Sequence, residues 1–388
     1  MRALLPFLVF VTVFAGLVLG LHGYVVAGLV YEPRWGHPHE GLWANALWAM
    51  GGLILFNMFS DRRLPYPAKA LVAWPAFIWM ATAFYLLLTL GVTDLVMFAL
   101  GMNGVEALRL RAIGAAAVSA VIIGVGLRSG LRRPVVKRVE IELPRWPAAL
   151  DGYRVVQISD IHIGTLIRRP FARYLTDTIN ALSPDLTAVT GDLVDGSVDR
   201  LRDEVAPFAE LRARDGVYFV TGNHDHYSGA RDWVHTITDL GMRVLRNSHH
   251  VIERDGAAFT LAGVDDHTSG HRNGGGEDVP AALAGSDRAL PTILLAHNPQ
   301  SLVAASKHGV DLQLSGHTHG GQMWPFRHVV KLQTLWIAGL YRFRDSLIYV
   351  SRGTGFWGPP IRVGEPAEIT ELILRAGGSG SESAVTPR

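Results

Sequence analysis

With 388 residues the chain is long enough for two domains, each with its own apolar interior. A formal net charge of +2 leaves no polyelectrolyte signature, so nucleic acid is not an expected partner. The lack of cysteine excludes disulfides, thiolate metal ligands and a cysteine nucleophile in one step.

Apolar residues crowd the chain before Arg128 and thin out after it. A helix that crosses a bilayer needs about 20 mostly apolar residues. Residues 4–29, interrupted by His22 alone, meet that need, as do residues 42–59 and 71–92. A fourth run, 112–127, is shorter; its helix can start at Ala107 if Arg109 and Arg111 reach back to the interface. Several of Trp43, Trp48, Trp74, Trp79 and Tyr85 sit where an aromatic belt is expected. The runs are apolar on every face, which a buried helix of a soluble domain is not. Three runs follow the first, so cleavage after it would not release the chain. No charge is evident inside the spans, which disfavours a transporter.

Arg62, Arg63 and Lys69 lie between the second and third runs, and Arg128, Arg132, Arg133, Lys137 and Arg138 follow the fourth. This bias puts both termini, and everything after the spans, in the cytoplasm. A re-entrant reading of residues 95–100 would reverse the assignment. The expected domains are a membrane segment over 1–130, a linker and first strand over 131–150, a catalytic domain over 151–376, and a disordered Gly/Ser-rich tail over 377–388.

After Pro134, residues 135–143 alternate as a strand. Strands are then expected at 153–159, 186–190, 217–221, 292–296 and 311–315, and helices at 169–182, 199–212, 229–240 and 299–307. Arg254-Asp255-Gly256 reads as a hairpin turn. The result is an α/β domain with a later β-rich section.

Polar residues follow each apolar strand in a regular way. In chain order they are Asp160-Ile161-His162, Gly191-Asp192, Gly222-Asn223-His224-Asp225, His297, and Gly316-His317-Thr318-His319. All fall at carboxyl ends of expected strands, where open α/β sheets collect ligands. An Asp-x-His pair on extended backbone would point both side chains to one side. Carboxylate, amide and imidazole without thiolate suit Mn, Fe, Zn or Mg. Singly, a strand-end Asp is often a helix cap and a lone His a surface residue; five such groups in order are hard to produce by chance.

This ordered set resembles the signature of the calcineurin-like metallophosphoesterase superfamily, over about residues 143–374. Ser159-Asp160-Ile161-His162-Ile163-Gly164, residues 316–322, Ser351-Arg352-Gly353 and Pro360-Ile361-Arg362 further resemble its bacterial membrane-associated branch, which includes UDP-2,3-diacylglucosamine pyrophosphatases of the lipid A pathway. The resemblance implies a sandwich of two packed β-sheets flanked by helices, and two divalent metal ions. Asp160, His162 and His319 would hold the first ion, Asp192 would bridge, and Asn223, His297 and His317 would hold the second. His224 would stabilise phosphoryl oxygens or protonate the leaving group. Asp195 resembles the carboxylate that orients this histidine in phosphoprotein phosphatases, and reads equally as a turn cap. Those phosphatases carry an Arg soon after the bridging Asp; here Gly196 and Ser197 follow, which argues against a phosphoprotein substrate.

The leading expectation is therefore a membrane-anchored hydrolase of a phosphodiester or pyrophosphate bond, in a lipid-linked nucleotide, with the bilayer as partner. A broad phosphodiesterase or phosphomonoesterase on soluble substrates is the alternative, and a non-catalytic membrane scaffold the second. Trp324 and Trp336 read either as core or as an apolar surface for acyl chains. Asp265-Asp266-His267 could line the site or cap a loop, Arg168-Arg169 could meet phosphate, and His271 with residues 274–276 could form a lid or a plain loop.

Overall fold

The computed structural model describes residues 4–60, 64–267, 269 and 276–377; Arg62, Arg63, His271, residues 274–275 and the expected tail from 378 onward lie outside them. Two compact units result, Met1–Leu131 with Gly358–Ile361, and Arg132–Trp357 with Arg362–Arg388.

The first unit holds helices α1 (Leu4–Val26), α2 (Glu40–Ser60), α3 (Ala68–Ala99) and α4 (Val105–Gly130). Each is long and apolar enough to cross a membrane, α1 together with the π-turn Ala27–Tyr31 that follows it. Residues 95–99 continue α3, so no re-entrant loop forms there. The helices extend beyond the apolar runs, and the added turns carry charged residues. Buried Arg111 on α4 pairs with Asp94 of α3 and Glu32 and donates to the Gly28 carbonyl at 3.0 Å. Lys69 on α3 is buried too, donating to the Asn57 backbone and side-chain oxygens at 2.6 and 2.8 Å. Buried polar groups in such helices must find partners in one another, because lipid offers none.

In the second unit the first sheet holds β1 (Val135–Leu143), β2 (Tyr153–Ile158), β3 (Leu186–Thr190), β4 (Val217–Val220), β5 (Arg243–Val244) and β12 (Glu368–Ala376), in the order β1-β12-β2-β3-β4-β5. The second holds β6 (Ser248–Arg254), β7 (Ala257–Gly263), β8 (Thr292–Leu295), β9 (Leu312–Ser315), β10 (Gly339–Phe343) and β11 (Ser346–Val350), in the order β10-β11-β9-β8-β7-β6. Val155, Leu186, Tyr218 and Leu372 of the first sheet meet Phe259, Leu261, Ile293 and Leu312 of the second in one buried core, so the sheets pack face to face. Helices α5 (Arg169–Leu182), α6 (Val198–Val205) and α7 (Ala230–Asp239) cover the outer face of the first sheet through Leu175, Ile179, Leu201 and Trp233. The architecture is the expected α/β sandwich flanked by helices. At the β6–β7 turn Asp255 and Gly256 have φ of 51° and 78°, the left-handed pair that a two-residue hairpin requires.

β2, β3 and β4 run parallel, as do β7, β8 and β9. Parallel strands deliver all their carboxyl ends to the same side, and the polar turns singled out in the sequence gather there.

Candidate metal centre

The convergence of the Asp-x-His and His-x-His pairs has a different cause from the one expected. The backbone is not extended. Asp160, His162, Asp192, His317 and His319 have φ of 53°, 55°, 53°, 72° and 51°, in the left-handed region that non-glycine residues avoid. Strain of this kind clusters where surrounding structure fixes it for a purpose. The backbones also approach closely. A Cβ at Gly222 would lie 2.2 Å from Asp192 Oδ1, and one at Gly316 only 2.0 Å from Ser159 Oγ.

Asp160, His162 and His319 bring their ligand atoms within 4.8 Å of one another, and so do Asp192, His297 and His317. A further group, His162, Asp192 and His224, meets the same 4.8 Å limit and shares members with both, so the three form one continuous centre. Hydrogen bonds fix the imidazoles. His297 Nδ1 donates to the Thr190 carbonyl at 2.8 Å, which turns its Nε2 toward Asp192 Oδ2 at 3.2 Å. His162 Nδ1 faces Asp195 Oδ1 at 3.1 Å, and its Nε2 faces His319 Nε2 at 3.1 Å. Two imidazole nitrogens at that separation need a shared proton or a cation between them. Asn223 adds a buried Oδ1 with no hydrogen-bond partner. A native orphan of this type calls for an explanation, and a metal ion supplies one. The residues present therefore fit divalent cations, through a carboxylate, amide and imidazole donor set.

Burial alone would depress His162; Asp195, with Asp192 and Asp160 behind it, outweighs burial and raises it to about 9. His319, buried beside His162 and Arg362, is held well below the ordinary histidine value. Asp195 is half-buried, and His162 and His224 hold it well below the usual carboxylate range. His224 places Nδ1 2.7 Å from Asp195 Oδ1, and its backbone N–H donates to Asp192 Oδ1 at 2.8 Å. Asp160, His162, Asp192, Asp195, His224, His297, His317 and His319 are thus brought together, and Asn223 precedes His224 directly in the chain.

Residues 153–321 match the family described as calcineurin-like phosphoesterase. A Bos taurus transmembrane protein with metallophosphoesterase domain is 39% identical over 281 residues, 69% of this chain and 63% of that one. Its Danio rerio counterpart is 37% identical over 267 residues, 66% of this chain and 61% of its own. An uncharacterized metallophosphoesterase of Aquifex aeolicus is 31% identical over 248 residues, 63% of this chain and 93% of its own. The chain belongs to the calcineurin-like metallophosphoesterases. It spans less than two thirds of the length of the Bos taurus and Danio rerio relatives.

Two residues of this metallophosphoesterase were not assigned a role from sequence. Asp225 is fully buried and accepts N–H bonds from Asp192 (2.9 Å), Leu193 (3.0 Å), Val194 (3.3 Å) and Gly222 (2.8 Å). It ties the turns after β3 and β4 together. An acid three residues after a glycine at a helix start, as in a capping box, was the available signal. Arg362, also fully buried, donates to the carbonyls of Gly355 and Glu365 and lies 3.4 Å from His319 Nδ1. A single loop arginine gives no signal of that kind.

Other candidates resolve differently. Arg168 is engaged by Glu204 at 2.6 Å rather than offered to phosphate. Asp265 is held by Arg246 in a two-point contact at 2.8 Å, and His267 pairs with Glu277 at 2.6 Å. Trp336 is buried with Leu302, Ile348 and Val350, so of the two tryptophans only Trp324 is a surface residue.

Proposed function

We propose that this metallophosphoesterase is membrane-anchored and uses two divalent cations to hydrolyse a phosphodiester or pyrophosphate bond. The observation that carries the reading is His224 set against Asp195, beside two ligand triads joined through His162 and Asp192. Asp160, His162 and His319 would hold one ion, Asn223, His297 and His317 the other, with Asp192 shared. Ions so held supply Lewis acidity toward phosphoryl oxygens and water.

The protein's own contribution is to position groups and move a proton. Asp195 receives the Nδ1–H of His224, which fixes the tautomer and leaves Nε2 to carry the transferable proton. Protonated His224 then donates to the leaving-group oxygen, and Asp195 balances its charge until that moment. The backbone bond from His224 to Asp192 locks the proton donor to the shared carboxylate. With no cysteine in the chain, attack by water is the simplest route.

Four long apolar helices support residence in a membrane, and the basic residues from Arg128 to Arg138 support a multi-pass arrangement with the catalytic unit in the cytoplasm. We assign the substrate to lipid-linked nucleotides on that basis, with UDP-2,3-diacylglucosamine as the test compound. The full chain would be assayed with each of Mn, Fe, Zn and Mg on this compound and on bis(p-nitrophenyl) phosphate, beside Asp192→Ala and His224→Ala. Preference for the lipid nucleotide, lost in both variants, is expected. Turnover of the small diester alone keeps the reaction and removes the substrate; no turnover with any metal removes the reaction.

A further inference from the structure

The second unit exposes ten large apolar side chains among its described residues, and five of them fall between 324 and 335. They are Trp324, Phe326, Val329, Leu332 and Leu335, the last two 86% and 78% exposed. From Phe326 onward they recur at every third residue, the interval that keeps side chains on one side of a tightly wound segment. Single exposed apolar residues need no explanation, but a contiguous row of this size marks a contact surface. Nothing in the proposed chemistry uses it.

The row is built, not frayed. It leaves the ligand turn directly, with Trp324 N–H donating to the Val363 carbonyl at 3.0 Å. Arg327 pairs with Glu365 at 2.8 Å. At the far end Trp336 is buried in the core beside the second sheet, one residue after exposed Leu335. Both feet are thus tied down while the middle presents its apolar side outward.

Its charge is one-sided. Among the exposed residues from 324 to 345, the cations Lys331, Arg342 and Arg344 outnumber the single acid Asp345. A second copy of the chain fits poorly, since a two-fold contact sets each patch against itself and would oppose like charges. An apolar row with basic neighbours matches a bilayer surface, where apolar side chains enter the headgroup layer and cations meet phosphates. We propose that residues 324–335 dock into the headgroup layer of a lipid bilayer. This proposal concerns membrane contact and stands or falls separately from the reaction.

Since the chain has no cysteine, one introduced thiol reports one site. Leu332→Cys, and Asp255→Cys at the exposed β6–β7 turn as reference, would be made in the full chain and labelled with an environment-sensitive nitrobenzoxadiazole. Both are reconstituted into phosphatidylcholine–phosphatidylglycerol liposomes, with and without lipids spin-labelled near the headgroup. The expected result is blue-shifted emission at 332, quenched at least threefold more by the spin-labelled lipid than at 255. Adding Phe326→Asp and Leu335→Asp should remove that difference while leaving the melting temperature unchanged. Equal emission and quenching at the two sites overturns the proposal. So does a blue shift without lipid quenching, which assigns the row to a protein partner or a second copy.

Discussion

Asp195 Oδ1 lies 2.7 Å from His224 Nδ1 and 3.1 Å from His162 Nδ1, so one carboxylate holds both the proposed proton donor and a proposed metal ligand. Removing its charge should therefore produce two separable defects. In Asp195→Asn, kcat is expected to fall roughly 10–100-fold and the metal concentration for half-activity to rise. In a His224→Ala background the kcat effect of Asp195→Asn should vanish, because the group it orients is gone, while the metal effect remains. Metal titrations of the two single variants and the double variant decide this. A kcat loss that persists in full in the double variant would assign Asp195 to His162 alone.

Asn223 offers a different test. Its Oδ1 is buried with no partner, which destabilises a fold unless a cation answers it. Asn223→Ala should weaken metal binding by about 10–100-fold. The same change should leave the melting temperature of chelator-treated protein unchanged or slightly raised, since an unsatisfied acceptor has gone. A lowered melting temperature after chelation would show that Asn223 is structural.

Much of this site was legible because short apolar strands end in glycine and ligand-type residues, a local pattern. β1 and β3 and the helix α5 fall on the residues expected from periodicity. The central place of β12 was not legible. Its Glu368, Thr370 and Glu371 look like a solvated strand, yet all three are buried, with Arg352 on Glu368 and Arg138 and Arg154 on Glu371 reaching in from distant parts of the chain. The pairing of Arg111 was not legible for the same reason: its partner Asp94 stands on another helix. Leu335 and Trp336, adjacent and equally apolar in sequence, end on opposite sides of the surface, a difference only the packing around Ile348 and Val350 decides.

Close approach at the ligand turn gives a steric prediction. A Cβ at position 316 would meet Ser159 Oγ at 2.0 Å and Asp160 Oδ2 at 2.2 Å. Gly316→Ala should destabilise the fold by about 1–3 kcal/mol. It should also displace Asp160 and raise the metal requirement. Adding Ser159→Ala removes one clash and leaves the other, so metal dependence should stay impaired in the double variant even if the melting temperature partly recovers. Full recovery of metal affinity would show that Asp160 is not held at this distance.

The last prediction concerns pH and lies away from the centre. Glu371 of β12 is buried, which alone would raise its carboxyl; Arg154 and Arg138 outweigh that and hold it below the ordinary glutamate value. Arg154 Nε and Arg138 Nε each donate to it at 2.9 Å. A folded-state value below the unfolded one means the group stabilises the fold fully above the unfolded value of about 4.3. That contribution fades as pH falls through the lower, folded value. Both arginines are partly in solvent, so screening reduces the gain, and Glu371→Gln should cost about 1–2 kcal/mol at pH 7. Melting temperatures of the two proteins should differ at neutral pH and converge as the pH is taken below the glutamate range. Curves that stay parallel down to that range would mean the loss in the variant comes from packing, not from the charge on Glu371.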